Sequence, residues 1–228
     1  MTINPIVSLP FRDRTEAGRF LAARLHLYAG RSDTIVFALP RGGVPVAAEI
    51  AETLQLPLWV LVVRKLGVPG REELAMGAIT SGGKRFINRA VTSTLNIPES
   101  EIDRVAWHET RELQRRERLY SRGCPMPDVK GKIVILVDDG IATGSTMALA
   151  VQTLREQEAG HIVVAVPVAP TGAVSQLGGL ADEVICLAVP EAFTAIGQWY
   201  RDFTQVRDHE VCRTLDRLIE RTQELQPA

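Results

Sequence analysis

Cysteine is scarce in this chain of 228 residues: Cys124, Cys186 and Cys212 stand far apart, with no paired spacing for zinc or for a disulfide framework. They are expected to be reduced structural thiols of a cytoplasmic protein. Formal net charge is only -1, so no global field draws the chain to nucleic acid or to an anionic membrane. Every apolar stretch is broken well short of a bilayer span. The opening MTINPIVSLPFRDR lacks a basic start leading into an apolar run, so no secretory signal is expected. Neither Gly-x-x-x-x-Gly-Lys-Ser/Thr nor Gly-x-Ser-x-Gly occurs, which removes the Walker-type phosphate loop and the nucleophile-elbow hydrolases. Internal repeats and low-complexity segments are also absent.

What is present is a core: 46% of residues are hydrophobic and 23% charged, the balance of a soluble globular domain. Asp13 and Glu16 form a capping-box-like start to a helix over residues 13–28. Short apolar runs without alternation, at 34–39, 58–63, 132–139, from 161 and at 183–188, read as strands buried on both faces. Helical patterns follow the first run, with Pro45 in the first turn, and the third run, over 145–158. Residues 64–98 are rich in Gly and Pro and are expected to be a mobile loop and hairpin region, with strand-like pieces at 75–80 and 85–87 joined at Gly82-Gly83. A charged helix over 99–121 starts near Ser100 or Asp103, and an amphipathic helix over 208–225 places Val211, Leu215, Leu218 and Ile219 on one face. Strands alternating with helices predict one α/β domain over 1–228, a doubly wound and mostly parallel sheet.

In such a sheet, ligands bind beyond the carboxyl ends of the strands. One of those ends reads VILVDDGIATGST. A buried strand delivers two adjacent carboxylates, Asp138 and Asp139. A loop of small residues follows, Ala142, Thr143, Gly144, Ser145 and Thr146, and opens a helix. Small residues let the backbone approach a phosphate, and a helix start offers unpaired N–H groups and a favourable dipole. The hydroxyls add donors and the acids suit a diol or a metal, so a phosphorylated sugar fits both halves.

This stretch resembles the phosphoribosyl pyrophosphate signature of type I phosphoribosyltransferases. Two further segments support the resemblance. Pro40-Arg41-Gly42-Gly43 stands where that family places its pyrophosphate loop, and RKLGVPGREE, from Arg64, is similar to the start of the mobile catalytic loop of adenine and orotate enzymes. With AGRFLAARL and VPEAFTAIGQWYRDF, the resemblance spans about residues 13–206 and narrows to a stand-alone, poorly characterised group. It implies a sheet of that kind with a small hood (189–228) and a helical insert (99–122). It also implies transfer of phosphoribose from the pyrophosphate donor to a nitrogenous base, with pyrophosphate released.

The resemblance further implies Arg41, Gly42 and Gly43 on the diphosphate, with Lys65, Arg64 and, after loop closure, Arg71 neutralising the leaving group. Asp138 and Asp139 would serve the ribose hydroxyls and a hydrated Mg²⁺. A homodimer is implied by family habit alone. Ala142 replaces the Asp of hypoxanthine-guanine enzymes, which argues against a 6-oxopurine. Phe193 is the ring expected to stack on the base, whereas Trp199 and Phe203 are expected to pack internally; Tyr200 is a further candidate. The insert interleaves Arg111, Arg115, Arg116, Arg118 and Arg122 with Glu101, Glu109, Glu112 and Glu117, the pattern of a solvated helix rather than a nucleic-acid arm. His108 within it reads as a surface residue. The principal rival is a regulator that binds the phosphoribosyl ligand without turnover. A receiver domain is disfavoured because its acids lie near the domain start.

Overall fold

The computed structural model describes residues 8–80, 83, 85–121 and 126–224; Gly82, Arg122, Cys124 and the Ile219 side chain lie outside the described set. Asp13 caps helix α1 (Arg14–Arg24), accepting from the Glu16 N–H at 2.8 Å, while Glu16 accepts from the Arg12 N–H at 2.6 Å. The helix is shorter than its sequence pattern suggests, because the chain tightens into a 3-10 turn at His26–Tyr28. Strand β1 (Thr34–Ala38) is buried throughout and leads through Pro40-Arg41-Gly42 into helix α2 (Gly43–Leu54).

The apolar run at 58–63 is not one strand. Strand β2 (Leu58–Val60) pairs in parallel with β1 only as far as Ala38↔Val60, where β1 itself ends. Deprived of a partner, the chain crosses at the buried pair Leu61-Val62 and starts strand β3 (Val63–Val68) in a second sheet. In the following Gly- and Pro-rich region the expected pairing of 75–80 with 85–87 is present, and a further strand precedes it where a loop was expected. Pro69 and Gly70, the latter at φ +74, close a tight turn to strand β4 (Arg71–Thr80), a geometry that proline and glycine favour at successive turn positions. Strand β5 (Arg85–Ile87) completes this antiparallel sheet in the order β3-β4-β5. The register shifts at Gly67, where an added Cβ would stand 2.7 Å from the Glu72 carbonyl oxygen. Such a bulge breaks the alternation that would have betrayed a strand.

A short helix α3 (Arg89–Thr94), with no expectation in the sequence, is capped by Asn88. Helix α4 (Glu99–Tyr120) starts at Pro98 rather than at Ser100 or Asp103; proline's fixed φ suits a helix entry, and neither polar candidate is needed. The remaining order is strand β6 (Ile133–Val137), helix α5 (Ser145–Glu156), strand β7 (His161–Val168), helix α6 (Thr171–Gly178), strand β8 (Glu183–Ala188), a 3-10 turn at Ile196–Trp199 and helix α7 (Asp208–Glu224).

The main sheet is parallel, in the order β2-β1-β6-β7-β8. Side chains alternate between two cores, as period-two geometry requires. Val36, Ala38, Ile135, Val137, Val163 and Ala165 join α1, α2 and α7 on one face. Ile35, Phe37, Val134, Leu136, Val164 and Val166 join α5 and α6 on the other. Helices on both faces make the sheet doubly wound, as expected. The sequence order reverses between β1 and β6, so the carboxyl ends of those two strands flank the crevice where such sheets bind ligands. Cys186 is a free thiol pushed up to about 11 by burial, in keeping with a structural role. Among the described residues no helix is long and apolar enough to cross a membrane.

Candidate functional site at the ends of β1 and β6

β1 and β6 run in register from Thr34↔Ile133 to Ala38↔Val137, so the segments that leave them emerge side by side. From β6 come Asp138 and Asp139; from β1 comes the turn Pro40-Arg41-Gly42-Gly43, whose Pro40–Arg41 peptide is cis. The two segments touch. A Cβ on Gly42 would lie 2.0 Å from Asp139 Oδ2, and one on Gly43 would lie 2.7 Å from the Val137 carbonyl oxygen and 2.9 Å from Asp138 Cα. Gly42 has ordinary right-handed helical angles, φ -62 and ψ -34, so it is glycine for space rather than for conformation.

The acids have unlike surroundings. The Asp139 N–H donates to Asp138 Oδ1 at 2.8 Å. Asp138 keeps partial exposure, and burial together with the Asp139 charge holds its carboxyl well above the usual carboxylate range. Asp139 is 8% exposed; burial raises its carboxyl too, against the pull of Arg14. Arg14 Nε donates to Asp139 Oδ2 at 2.7 Å. The same guanidinium donates from Nη1 to the Thr204 carbonyl at 2.9 Å and lies 3.9 Å from the Phe203 ring centroid. The Tyr200 hydroxyl donates to the Asp139 carbonyl oxygen at 2.6 Å, and burial pushes the phenol's pKa up so that it stays a donor.

Beyond the acids, Gly144 takes φ +79 to end the loop and caps α5, a conformation that side chains with a Cβ resist. Ala142, Thr143, Ser145 and Thr146 face solvent, with the Thr143 and Ser145 hydroxyls 3.2 Å apart. The small residues, the open helix start and the hydroxyls are therefore gathered where the sequence placed them.

The remaining expected site residues are more scattered. Arg41 turns its guanidinium to Asp208 at the start of α7, at 3.6 Å. Arg64 donates from Nε to Glu109 of α4 at 2.7 Å. Lys65 shares with Thr146 the lining of a groove of about 590 Å³ between the β3–β4 hairpin and α4. Arg71 is exposed beside the hairpin turn. Phe193 is half-buried and stands apart from the aromatic cluster, which joins Phe11 and Tyr200 to Phe20, Trp199 and Phe203. Phe203 is covered by Arg14 on one side and stacked on Tyr200 at 5.0 Å, so it packs internally, as expected. His108 is a surface residue, its side chain 82% exposed.

Arg14 escaped the sequence reading altogether. It is one arginine in a charged helix start, separated from Asp139 by 125 positions, and no spacing rule reaches across that interval. Tyr200 was visible as a ring, but its hydroxyl's partner was not.

A relative named provisionally as phosphoribosyl transferase Rv0571c, from Mycobacterium tuberculosis strain H37Rv, is 49% identical over 207 residues, which is 91% of this chain. The match covers 46% of that relative, so this chain spans about half the length of the curated protein it resembles. The same figures hold for phosphoribosyl transferase MT0597 of strain CDC 1551, likewise provisionally named. The crystal structure of TT1426 from Thermus thermophilus superposes with a TM-score of 0.82 at 40% identity, over 90% of this chain and 97% of that one. The sequence profile described as "Phosphoribosyl transferase domain" matches residues 12–188, from the start of α1 to the end of β8, and this chain belongs to that family.

Proposed function

We propose that the protein is a phosphoribosyltransferase. It would take phosphoribosyl pyrophosphate and a nitrogenous base, break the bond from the anomeric carbon to pyrophosphate, and form a bond from that carbon to a base nitrogen. The observation that carries this reading is the contact between the Gly42 turn and Asp139, which sets a backbone suited to a diphosphate against the acids beside an open hydroxyl loop. Thr143, Ser145 and Thr146 would hold the 5′-phosphate at the start of α5. Gly42 and Gly43 would bring backbone near the diphosphate, with Arg41 beside it. Asp138 would meet the ribose hydroxyls.

Among the described residues no cluster of three or more His, Cys, Asp or Glu would hold a metal on its own. Two adjacent carboxylates fit Mg²⁺ only as a hydrated ion that arrives with substrate oxygens, the ion's usual preference. Bound in that way, Mg²⁺ would supply charge neutralisation on the pyrophosphate. The chain's own part in the transfer is to align the ribose and to place cations toward the charge that develops on the leaving group.

The first test is calorimetric titration with phosphoribosyl pyrophosphate and Mg²⁺. Binding by the wild type, and none by the Asp138→Asn/Asp139→Asn double variant, is the expected result. No binding by folded wild type ends the proposal. A panel of bases scored for pyrophosphate release then identifies the acceptor. The Arg64–Glu109 pair favours a second reading, because it occupies a cation that the transfer would use: a regulator that binds the same ligand and turns nothing over. Tight binding with no release from any base would select it.

Lys65→Ala separates ligand holding from catalysis. The expected outcome is a drop in turnover of about tenfold or more with binding changed by less than about threefold, since a cation aimed at developing charge acts mainly in the transition state. Equal losses in kcat and affinity would assign Lys65 to ground-state binding instead.

A further inference from the structure

Asp138 and Asp139 are adjacent in sequence, yet the two carboxylates are held differently. Asp139 Oδ2 is committed to Arg14 at 2.7 Å, and both side chains are only 11% exposed. Gly42 closes in on the same carboxylate. Arg14 in turn is fixed from three directions: by Asp139, by the Thr204 carbonyl, and by the Phe203 ring on which it lies. The segment that supplies Thr204 and Phe203 is itself bound to the N-terminal stretch. Phe11 donates to the Trp199 carbonyl at 2.8 Å, Arg201 to that of Phe11 at 2.8 Å, and Asp202 to that of Arg12 at 2.9 Å. Tyr200 completes the link through the Asp139 carbonyl.

One cation thus ties three parts of the chain together at the acids, and it offsets one of the two formal negative charges of the Asp138–Asp139 pair. A negatively charged phosphosugar meets less repulsion from such a group than from two bare carboxylates. A purely structural staple would not need to sit on the carboxylate nearest the turn that faces the ligand.

We propose that Arg14 is a positioning residue for the acid pair. Its clamp on Asp139 Oδ2 leaves Asp138 as the carboxylate offered to ribose hydroxyls, and it locks residues 199–204 to the acids. This inference rests on the phosphoribosyl reading above.

The test uses ribose 5-phosphate and 2-deoxyribose 5-phosphate as probes, titrated into wild type, Arg14→Lys and Arg14→Gln, with thermal melts to establish folding. A hydrogen bond from a hydroxyl to a carboxylate makes the ribose form bind about tenfold tighter in the wild type. Arg14→Gln, which removes the charge, is expected to bring the ratio of the two affinities to within about threefold of unity. Arg14→Lys, which keeps the charge on Asp139, is expected to preserve most of the ratio. If the Gln variant does not fold, Arg14→Met, which keeps an unbranched side chain over the Phe203 ring while removing the charge, takes its place with the same expectation. A wild-type ratio that survives in the folded variant overturns the positioning role and leaves the phosphoribosyl reading intact. Failure of the wild type to bind either sugar phosphate overturns the positioning role, whereas the phosphoribosyl reading falls only if phosphoribosyl pyrophosphate with Mg²⁺ also fails to bind.

Discussion

Gly42→Ala is expected to lower stability by about 3 kcal/mol and to weaken phosphoribosyl pyrophosphate binding by about a hundredfold. The added methyl would stand 2.0 Å from Asp139 Oδ2 and 2.5 Å from its Cγ, inside any tolerable contact. Backbone strain plays no part, since φ -62 and ψ -34 suit alanine well. Something must move, and the Asp139 carboxylate is the nearest candidate. Moving it breaks the 2.7 Å bond to Arg14. Separating a largely buried ion pair leaves both charges uncompensated, which costs about 3–5 kcal/mol when relief is incomplete. If the β1 turn retreats instead, the backbone proposed to meet the diphosphate leaves its place. Either movement damages the site, so stability and affinity are expected to fall together. Urea unfolding and calorimetric titration measure the two losses. An alanine variant with wild-type stability and binding would mean that the carboxylate rotates freely, contrary to its confinement by Arg14.

The same contact shows what the sequence could and could not reveal. Asp138, Asp139 and Gly42 were legible because each follows a short apolar run that has no reason to be anything but a buried strand. Once two such runs are taken as neighbours in a parallel sheet, their carboxyl ends must meet, and the composition of those ends suggests the ligand. The loop from Ala142 to Thr146 was legible for the same reason. The hairpin of β3 and β4 was not, because a bulge at Gly67 and the Pro69-Gly70 turn give the composition of a loop while forming a sheet. Likewise, the run at 58–63 is uniformly apolar across a change of pairing partner, since Leu61 and Val62 enter opposite cores. Periodicity reports burial and is silent on which strand supplies the hydrogen bonds.

Charged side chains were the least legible of all. Arg64 and Arg41 were expected to face the ligand but pair with Glu109 and Asp208, while Arg14, which was not expected there, reaches Asp139. A long side chain can serve any partner within its reach, so its role is set by the packing of elements distant in sequence. Ligand arrival can still exchange the partners of Arg41, whose contact with Asp208 is long at 3.6 Å and one-third exposed on both sides. An ion pair of that kind contributes little, about 0–1 kcal/mol, and so offers little resistance to a stronger anion.

Asp138→Asn is expected to raise the melting temperature of the ligand-free protein while weakening phosphoribosyl pyrophosphate binding by about a hundredfold, the loss of two charge-assisted hydrogen bonds. Burial, with the Asp139 charge beside it, places the Asp138 carboxyl well above its ordinary value of 3.8. Between that ordinary value, which the unfolded chain retains, and the raised folded value, the folded protein holds more protons than the unfolded one. Stability contributed by this group is therefore fully present below the ordinary value and is lost as pH rises through the folded value. At neutral pH the charged form is the one the fold disfavours. Asparagine keeps the shape and keeps Oδ1 as the acceptor for the Asp139 N–H, now 2.8 Å away, while removing the charge. A gain of about 1 kcal/mol would appear as a rise of about 2–4 °C in a domain of this size. Because other carboxylates titrate as well, the informative quantity is the difference between wild-type and variant melting temperatures, which is expected to widen from pH 5 to pH 8. A variant that melts lower than wild type at pH 8 would mean that Asp138 stabilises the fold rather than burdening it. The expected pairing of higher stability with lost binding follows from the proposed role of the site: a largely desolvated carboxylate beside another is unfavourable until it is satisfied, as the hydroxyls and hydrated cation of the proposed ligand would do.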